Sequence, residues 1–368
     1  MKKINIYRNE LVRVLSEGGV FAGRNRAITA LNNVRITTKD GRIRVESSSD
    51  NNYIKVYGVC LDGTEDMNFC ISPKEITSYL KLVADPEVCL TYDEDKSILK
   101  VKHGHGSTKT PTFDPKDFPI MNIQQVSETN TLPANILTTW LNTAQKFIMA
   151  KNIGTALGGV NLRAAEGRLT VVGADGGLIY MSECVFNANS DFNIIIPEEG
   201  TKVMAAMCAN TTEVELSMAE NAIVVKNADF ALYARLIDVN YPALHRLAGL
   251  KGKTCFIVNA TSFRQAVNRI ISQTAANENR IKIAINANEL VMCYDYPQAG
   301  KHVEEVVTCD CPNFETQVTV DVNYLLMALT NIIDEDIVFY HDDNERSPFF
   351  FESIGENFTS VILLGTMV

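Results

Sequence analysis

Four clusters in this sequence hold residue types that carry chemistry elsewhere. Gly249-Leu250-Lys251-Gly252-Lys253-Thr254 has the glycines, lysine and hydroxyl of a phosphate loop. Only two residues separate its glycines, where such a loop needs four to wrap backbone N–H groups around phosphates, so the segment reads as a domain junction. His103-Gly104-His105 offers two imidazoles with no carboxylate or thiolate in register, short of the donors a metal needs, and predicts a solvated loop. Cys309 and Cys311 form a lone C-x-C with no second ligand pair nearby, and read as buried or edge-strand cysteines. Asp50 and Asp175 could act as paired acid and base, but they occupy equivalent places in two copies of a repeat, which predicts turn or cap roles. Local context suggests no Ser/His/Asp or Cys/His arrangement. The expectation is a chain without active site, metal or cofactor.

The elements that would position any site are set by that repeat. Ala30-Leu31-Asn32-Asn33-Val34-Arg35-Ile36, ending in Asp40-Gly41-Arg42-Ile43-Arg44-Val45, recurs as Ala156-Leu157-Gly158-Gly159-Val160-Asn161-Leu162, ending in Glu166-Gly167-Arg168-Leu169-Thr170-Val171. The offset is 126 throughout (156 − 30, 167 − 41, 171 − 45). A fainter third copy is Ile281-Lys282-Ile283-Ala284-Ile285 with Asn288-Glu289-Leu290-Val291-Met292, shifted by a further 121 (281 − 160, 290 − 169). Each copy alternates apolar and polar residues on both sides of a turn, which predicts a β-hairpin. Gly41, Gly167 and Asn288 fall at equivalent turn positions and tolerate positive φ.

A helical period precedes each hairpin: Leu11, Val14 and Leu15; Leu137, Trp140 and Leu141; Phe263, Val267 and Ile270. Pro133 and Asn259 sit where helix starts are expected. A further strand and second helix follow, through Ile76, Tyr79 and Leu80, then Val203, Met204 and Met207, then Tyr324, Leu325 and Ala328. Another pair of strands closes each unit. The prediction is an α+β fold of three tandem repeats, each with two helices on largely antiparallel sheet, spanning residues 1–125, 126–250 and 251–368. The linkers are placed at 124–131 and 249–253.

Length and charge agree with this reading. A chain of 368 residues accommodates three domains. A net charge of −10 disfavours nonspecific nucleic-acid binding by the surface as a whole, without excluding a local basic face. Nine cysteines, odd in number and scattered, fit a reducing cytoplasm. There is no apolar run long enough to span a membrane and no signal-peptide core, so a cytoplasmic protein is expected.

Three phrases in order then narrow the family. Phe113-Asp114-Pro115-Lys116-Asp117-Phe118-Pro119, Gly173-Ala174-Asp175-Gly176-Gly177-Leu178 and Leu236-Ile237-Asp238-Val239-Asn240-Tyr241-Pro242 lie on a threefold repeat of matching period. On these the chain resembles, over essentially its whole length, the bacterial DNA sliding clamp, the β subunit of the replicative polymerase. The resemblance implies a head-to-tail homodimer whose six domains close a ring around double-stranded DNA, with helices lining the hole. It implies sequence-independent DNA contact, and partners that include the polymerase catalytic subunit, an ATP-dependent clamp loader, and repair polymerases and ligase-type proteins carrying short linear motifs. It implies no catalysis.

Carried over by position, the DNA-contact candidates are Arg24 and Arg26 after the first helix, with Lys146, Lys151, Arg264 and Arg269. The family's basic entry to the second helix of domain two is Pro197-Glu198-Glu199-Gly200 here, so inner charge must be distributed differently. The family's peptide pocket maps to Leu157, Ala174, Gly176, Gly177, Leu178, Ile179, Pro242, Arg246 and Leu247, with Ile362, Leu364, Gly365, Thr366, Met367 and Val368 from the last strand. Gly177-Leu178 replaces a His-Arg pair, and the C-terminal four residues also depart from the family's. Ring closure maps to Ile270 and Ile271 opposite Thr108 and Thr110, which predicts a polar, readily opened interface. The competing reading is a repeat scaffold that binds only proteins, which would lack a basic helical face. An enzyme whose residues converge only in three dimensions would instead show a cleft of carboxylates or histidines.

Overall fold

The three repeated phrases fold as hairpins: Val34–Lys39 with Arg42–Ser48, Gly159–Ala165 with Arg168–Ala174, and Arg280–Asn286 with Glu289–Tyr296, all antiparallel. In this computed structural model the described residues are 1–23, 29–62, 65–121, 126–250, 254–275, 278–286, 288–310, 315–332, 334–341, 347–354 and 359–365. The first two turns place both central residues at positive φ, Asp40 at 49° with Gly41 at 73°, and Glu166 at 58° with Gly167 at 74°. That geometry matches the right-handed twist of the flanking strands, which is why an acidic-Gly pair recurs there.

Six α-helices occur among the described residues, two per repeat. They are α1 (Arg8–Gly18), α2 (Pro73–Leu82), α3 (Ala134–Ala144), α4 (Glu198–Cys208), α5 (Ala260–Ile271) and α6 (Val322–Thr330). Each starts directly from a strand or one residue beyond it. Their N-termini are closed by what the sequence supplies. Pro73 opens α2, the Asn259 carboxamide accepts from Ser262 N–H at 3.0 Å above α5, and Asp321 accepts from Asn323 and Tyr324 N–H above α6. Leu11, Val14 and Leu15 of α1 and Phe263, Val267 and Ile270 of α5 are buried, as their spacing predicts.

Two compact units result: Met1–Thr138 with Lys202–Leu236, and Thr139–Thr201 with Ile237–Val368. The division runs through α3 and α4 rather than along the repeat boundaries. The reason is the ladders. In the first unit, Asn52–Val59 of the first repeat pairs with Phe230–Arg235 of the second, making an eight-stranded sheet beside a four-stranded one. In the second unit, Leu178–Val185 of the second repeat pairs with Thr359–Leu364 of the third, within a twelve-stranded sheet. Asn130 and Thr131, placed in a linker by composition, belong to a strand that pairs with Glu213–Ala219. Their N–H and C=O groups would otherwise be buried without partners.

The two inter-repeat seams are equivalent in position and different in chemistry. At the first, Tyr53 faces Tyr233, and the Tyr53 hydroxyl donates to Glu46 Oε1 at 2.5 Å. Glu46 is 1% exposed and carries Arg44 at 3.3 Å and Arg35 at 3.9 Å. An offset of 126 turns Tyr53, Glu46, Arg44 and Arg35 into Ile179, Val172, Thr170 and Asn161, none of them charged. A buried carboxylate held this way is costly to orphan. We predict that Glu46→Ala lowers stability by about 3–5 kcal/mol, because it strands two cations and a phenol, and Tyr53→Phe by about 1–2 kcal/mol. Urea unfolding followed by tryptophan fluorescence and circular dichroism would check this; a loss below about 1 kcal/mol for Glu46→Ala would show the cluster to be dispensable.

Candidate functional site

The most site-like surface among the sequence candidates lies in the second unit and begins from strand alternation. Across five neighbouring strands the register places Ala174, Ile179, Leu363, Phe350 and Tyr340 in one row. Phe350, Val361 and Leu363 form a buried cluster on which Ile179, Leu247 and Tyr340 pack while remaining half-buried. The opposite face belongs to the core. There Tyr180 meets Phe147 with ring centroids 5.4 Å apart, and Phe349 and Phe351 meet Phe339, itself against Phe263 of α5.

This alternation sorts the pocket candidates. Ala174, Ile179 and Leu247 belong to the apolar strip. Leu178, Ile362 and Leu364 are buried on the core face, so a one-residue step along each strand separates strip from core. Val361 and Leu363 take the strip positions, and these two, with Phe350 and Tyr340, were missed. Val361-Ile362-Leu363-Leu364 is apolar at every position, so no alternation in the sequence distinguished its faces. Leu157 is half-buried and its carbonyl accepts from Met149 N–H, whereas Pro242 and Arg246 are exposed. Thr366, Met367 and Val368 lie outside the described residues.

At the end of the strip the backbone turns through Asp175-Gly176-Gly177. Asp175 Oδ1 accepts from Gly177 N–H at 3.1 Å and Leu178 N–H at 2.9 Å, the turn role its type predicts, and Gly176 has φ 98°. Gly365 N–H donates to Gly177 O at 2.9 Å, extending the ladder. A Cβ on Gly177 would lie 2.6 Å from the Tyr324 ring, so this position is closed to any side chain while Tyr324 stays put. Burial, and then a hydrogen bond to Asp175, push the Tyr324 phenol up to about 12. Tyr324 of α6 is thus a further site neighbour that local sequence could not reveal.

The strip is covered from one side by the 3-10 helix Leu244–Leu250, which brings in Leu247, the imidazole of His245 and the cation Arg246. Burial lowers the His245 pKa, and the positive charges of Arg163 and Arg246 lower it further. The strip therefore combines apolar anchoring with a basic flank, suited to an extended peptide rather than to bond-making chemistry. Among the described residues, no three His, Cys, Asp or Glu side chains are placed to hold a metal.

The remaining candidates fall elsewhere. Lys146 Nζ donates to Asn331 Oδ1 at 2.8 Å, Lys151 is exposed, and Arg264 Nε donates to Ala260 O. Arg269 forms a two-pronged ion pair with Glu305, at 2.8 and 2.6 Å, which neutralises it. Arg24 and Arg26 lie outside the described residues. Ile270 is fully buried in the core and Ile271 half-buried, while Thr108 and Thr110 are half-buried on the terminal strand of the four-stranded sheet. His103 corrects the solvated-loop expectation. It ends a strand, its Nδ1 lies 2.9 Å from Asp85 Oδ2, and its Nε2 lies 2.8 Å from the Tyr79 hydroxyl, because the turn folds back onto α2. Cys309 is buried in a strand, as expected, and Cys311 lies outside the described residues.

With this geometry in place, comparison with known proteins is informative. Residues 131–243 match the family model for the DNA polymerase III beta subunit, central domain. The beta sliding clamp of Streptococcus pneumoniae R6 is 22% identical over 332 residues, covering 89% of this chain and 82% of the relative. That of Bacillus subtilis 168 is 20% identical over 341 residues, 89% of each chain. Among solved structures, the sliding clamp (DNA polymerase III subunit beta) of Pseudomonas aeruginosa bound to griselimycin superposes with TM-score 0.92 at 18% identity, covering 100% of this chain and 99% of that one.

The flank makes its own prediction. With His245 held below the ordinary histidine value of about 6.5, the unfolded chain binds its proton more readily than the fold does. Its contribution is unopposed above that range and turns destabilising as pH falls through it toward the lowered value. An NMR titration of the His245 ring should show the depressed midpoint, and Arg246→Gln should move it partway back while burial holds the rest. An unmoved midpoint in the variant would detach Arg246 from this cluster.

Proposed function

We propose that the chain is a member of the bacterial β sliding-clamp family and works as a ring that encircles duplex DNA and tethers a polymerase to it. The observation that carries this is the match of the central repeat to the family's own central-domain model, within a fold shared over the full length of a solved clamp. The physics is topological: a closed ring keeps its passenger at high local concentration without gripping the template. Such a protein needs positioning and closure, not a reacting group.

In this reading the domains are 1–125, 126–250 and 251–368, and two copies join head to tail. Two strand edges suit that closure. Gly106–Pro111 ends its sheet, and Lys301–Asp310 pairs beyond its hairpin only at residues 309 and 310. Near the first edge Lys100 and Lys109 stand directly opposite each other, which sets two positive charges side by side. On the second edge stands Glu304, with the Cys293 thiol donating to it. We assign these edges to each other across two copies, with lysines facing Glu304, Thr108 and Thr110 beside them, and Arg269–Glu305 bracing α5 against the strand.

DNA contact is assigned to Lys146, Lys151 and Arg264, with Arg24 and Arg26. Among the helices, α3 and α6 carry no charged residue, α4 has Glu198 and Glu199 against Lys202, and α2 has Lys74 and Lys81 against Glu75. Partner segments, from the polymerase, loader and repair proteins, are assigned to the strip of Ala174, Ile179, Val361 and Leu363, flanked by Leu157, Pro242, Arg246 and Leu247.

Retention after ATP-dependent loading tests the ring. The protein should stay on circular DNA and be lost on linearisation; equally rapid loss from both sinks the topological mechanism. Direct binding to DNA should weaken with salt, and each phosphate contact removed by Lys146→Gln or Lys151→Gln should flatten the log–log salt slope by about 0.9. For closure, sedimentation should show Lys109→Glu weakening the dimer at low salt and Glu304→Lys restoring it in the double variant. Independent effects of the two changes would separate these edges.

A further inference from the structure

Strands that join one repeat to the next keep a single register. At the first seam the row runs Ser48, Tyr53, Tyr233, Val224, Ser217, and at the second Ala174, Ile179, Leu363, Phe350, Tyr340. The two rows are equivalent residue by residue. Ser48 and Ala174 each lie six positions beyond the residue that follows their hairpin turn (48 − 42, 174 − 168). Ser217 and Tyr340 each lie four beyond the residue paired with the one that precedes a helix (217 − 213, 340 − 336), Glu213 with Pro133 and Asp336 with Asn259.

The same counts mark two half-rows that the chain leaves unjoined. Asp295, six beyond Glu289 (295 − 289), pairs with His302 on the strand Lys301–Asp310. Thr91, four beyond Glu87 (91 − 87), pairs with Lys100, and Lys100 with Lys109 on the terminal strand Gly106–Pro111. These are the two edges assigned to each other across copies. Joined in the register of the other seams, they set His302 opposite the partner's Lys109, where the first seam has two tyrosines and the second has Ile179 with Leu363. Glu304 then stands opposite the partner's Ser107 and diagonal to the partner's Lys109.

Charges therefore meet at this joint. Within one copy His302 Nδ1 lies 2.6 Å from Asp295 Oδ1, and Asp295, then Glu304, hold the imidazole pKa above its ordinary value. Lys301, its neighbour in sequence, donates to Gln273 O. The facing strands, Ile98–His103 and Gly106–Pro111, bring Lys100, Lys102 and Lys109, with His103 held by Asp85. Like charges placed directly opposite destabilise a strand pair.

We propose that His302 is a proton-sensitive latch of ring closure: as imidazolium it opposes the partner's Lys109 and loosens the joint, and as neutral imidazole it lets the joint close. The inference rests on the head-to-tail reading above and adds regulation by protons to it. Asp295 stabilises the imidazolium in the open copy, whereas closure brings lysines against it, so closing the ring releases protons from His302. The dimer then weakens as pH falls through the open-copy value, which lies above the ordinary histidine value of about 6.5, and keeps its full strength above that range.

Sedimentation of the full-length protein across a dilution series, at pH 8 and at pH 6, tests the latch. A ring has two such joints and exposed charge pairs are individually weak, so the dissociation constant should rise about three- to tenfold at pH 6. His302→Gln should flatten this dependence and leave the dimer tighter than the unaltered protein at pH 6. Lys109→Gln should flatten it as well, since the opposing charge is gone. A dimer equally strong at both pH values would overturn the latch and leave the ring standing. So would a His302→Gln dimer that changes in strength but keeps the pH slope. Absence of a dimer at every concentration would remove the head-to-tail reading itself, and the latch with it.

Discussion

The constraint on which the rest of this structure depends is the two-residue period of strands that pair without interruption from one repeat into the next. Because Leu178–Val185 continues into Thr359–Leu364, side chains from the second and third repeats share a face and must agree in parity. One parity feeds the phenylalanine core beneath the helices. The other builds an apolar row flanked by the 3-10 helix Leu244–Leu250. A helix–helix or loop-mediated joint could not produce this result, since it would not force residues nearly two hundred positions apart into one row. The apolar strip follows from how the sheets are joined.

Triplication supplies equivalent joints, and divergence assigns them different work. At the first seam a phenol, a carboxylate and two guanidinium groups occupy places that the second seam fills with Ile179, Val172, Thr170 and Asn161. Burying that charge is tolerable only with its partners in position, which fixes geometry there. The second seam keeps its outward row aliphatic and aromatic, with Arg246 and the neutral-leaning imidazole of His245 on the rim. Gly177 extends the same division: by having no side chain it admits the Tyr324 ring beside Asp175.

Legibility in the sequence followed the strength of local signals. Acidic-Gly turns at 40–41 and 166–167, helical spacing in α1 and α5, and the Asn259 cap each have a cause within a few residues, and each formed where its pattern placed it. The α+β architecture was visible for the same reason. Parity was not visible in Val361-Ile362-Leu363-Leu364, where every residue is apolar and only the ladder decides which ones face the strip. Arg269 looked like a free cation because Glu305 is 36 residues away in sequence. His103 looked solvated because Asp85 and Tyr79 approach it only once α2 and the strand have docked. Gly177 could be seen to differ from the family the chain resembles, but what the difference makes room for depended on α6.

The Tyr53–Glu46 hydrogen bond has a mechanical side. A directional bond of 2.5 Å between Arg42–Ser48 and Asn52–Val59 of the first repeat, with Arg44 and Arg35 on the same buried carboxylate, resists lateral sliding of these two strands, since a shift of an ångström would break it. Aliphatic side chains such as Ile179 and Leu363 have no preferred angle and can slide past one another while staying in contact. The strand pair that leads into the first seam is therefore held more stiffly than its counterpart at the second, and under load slip should collect in the aliphatic pair.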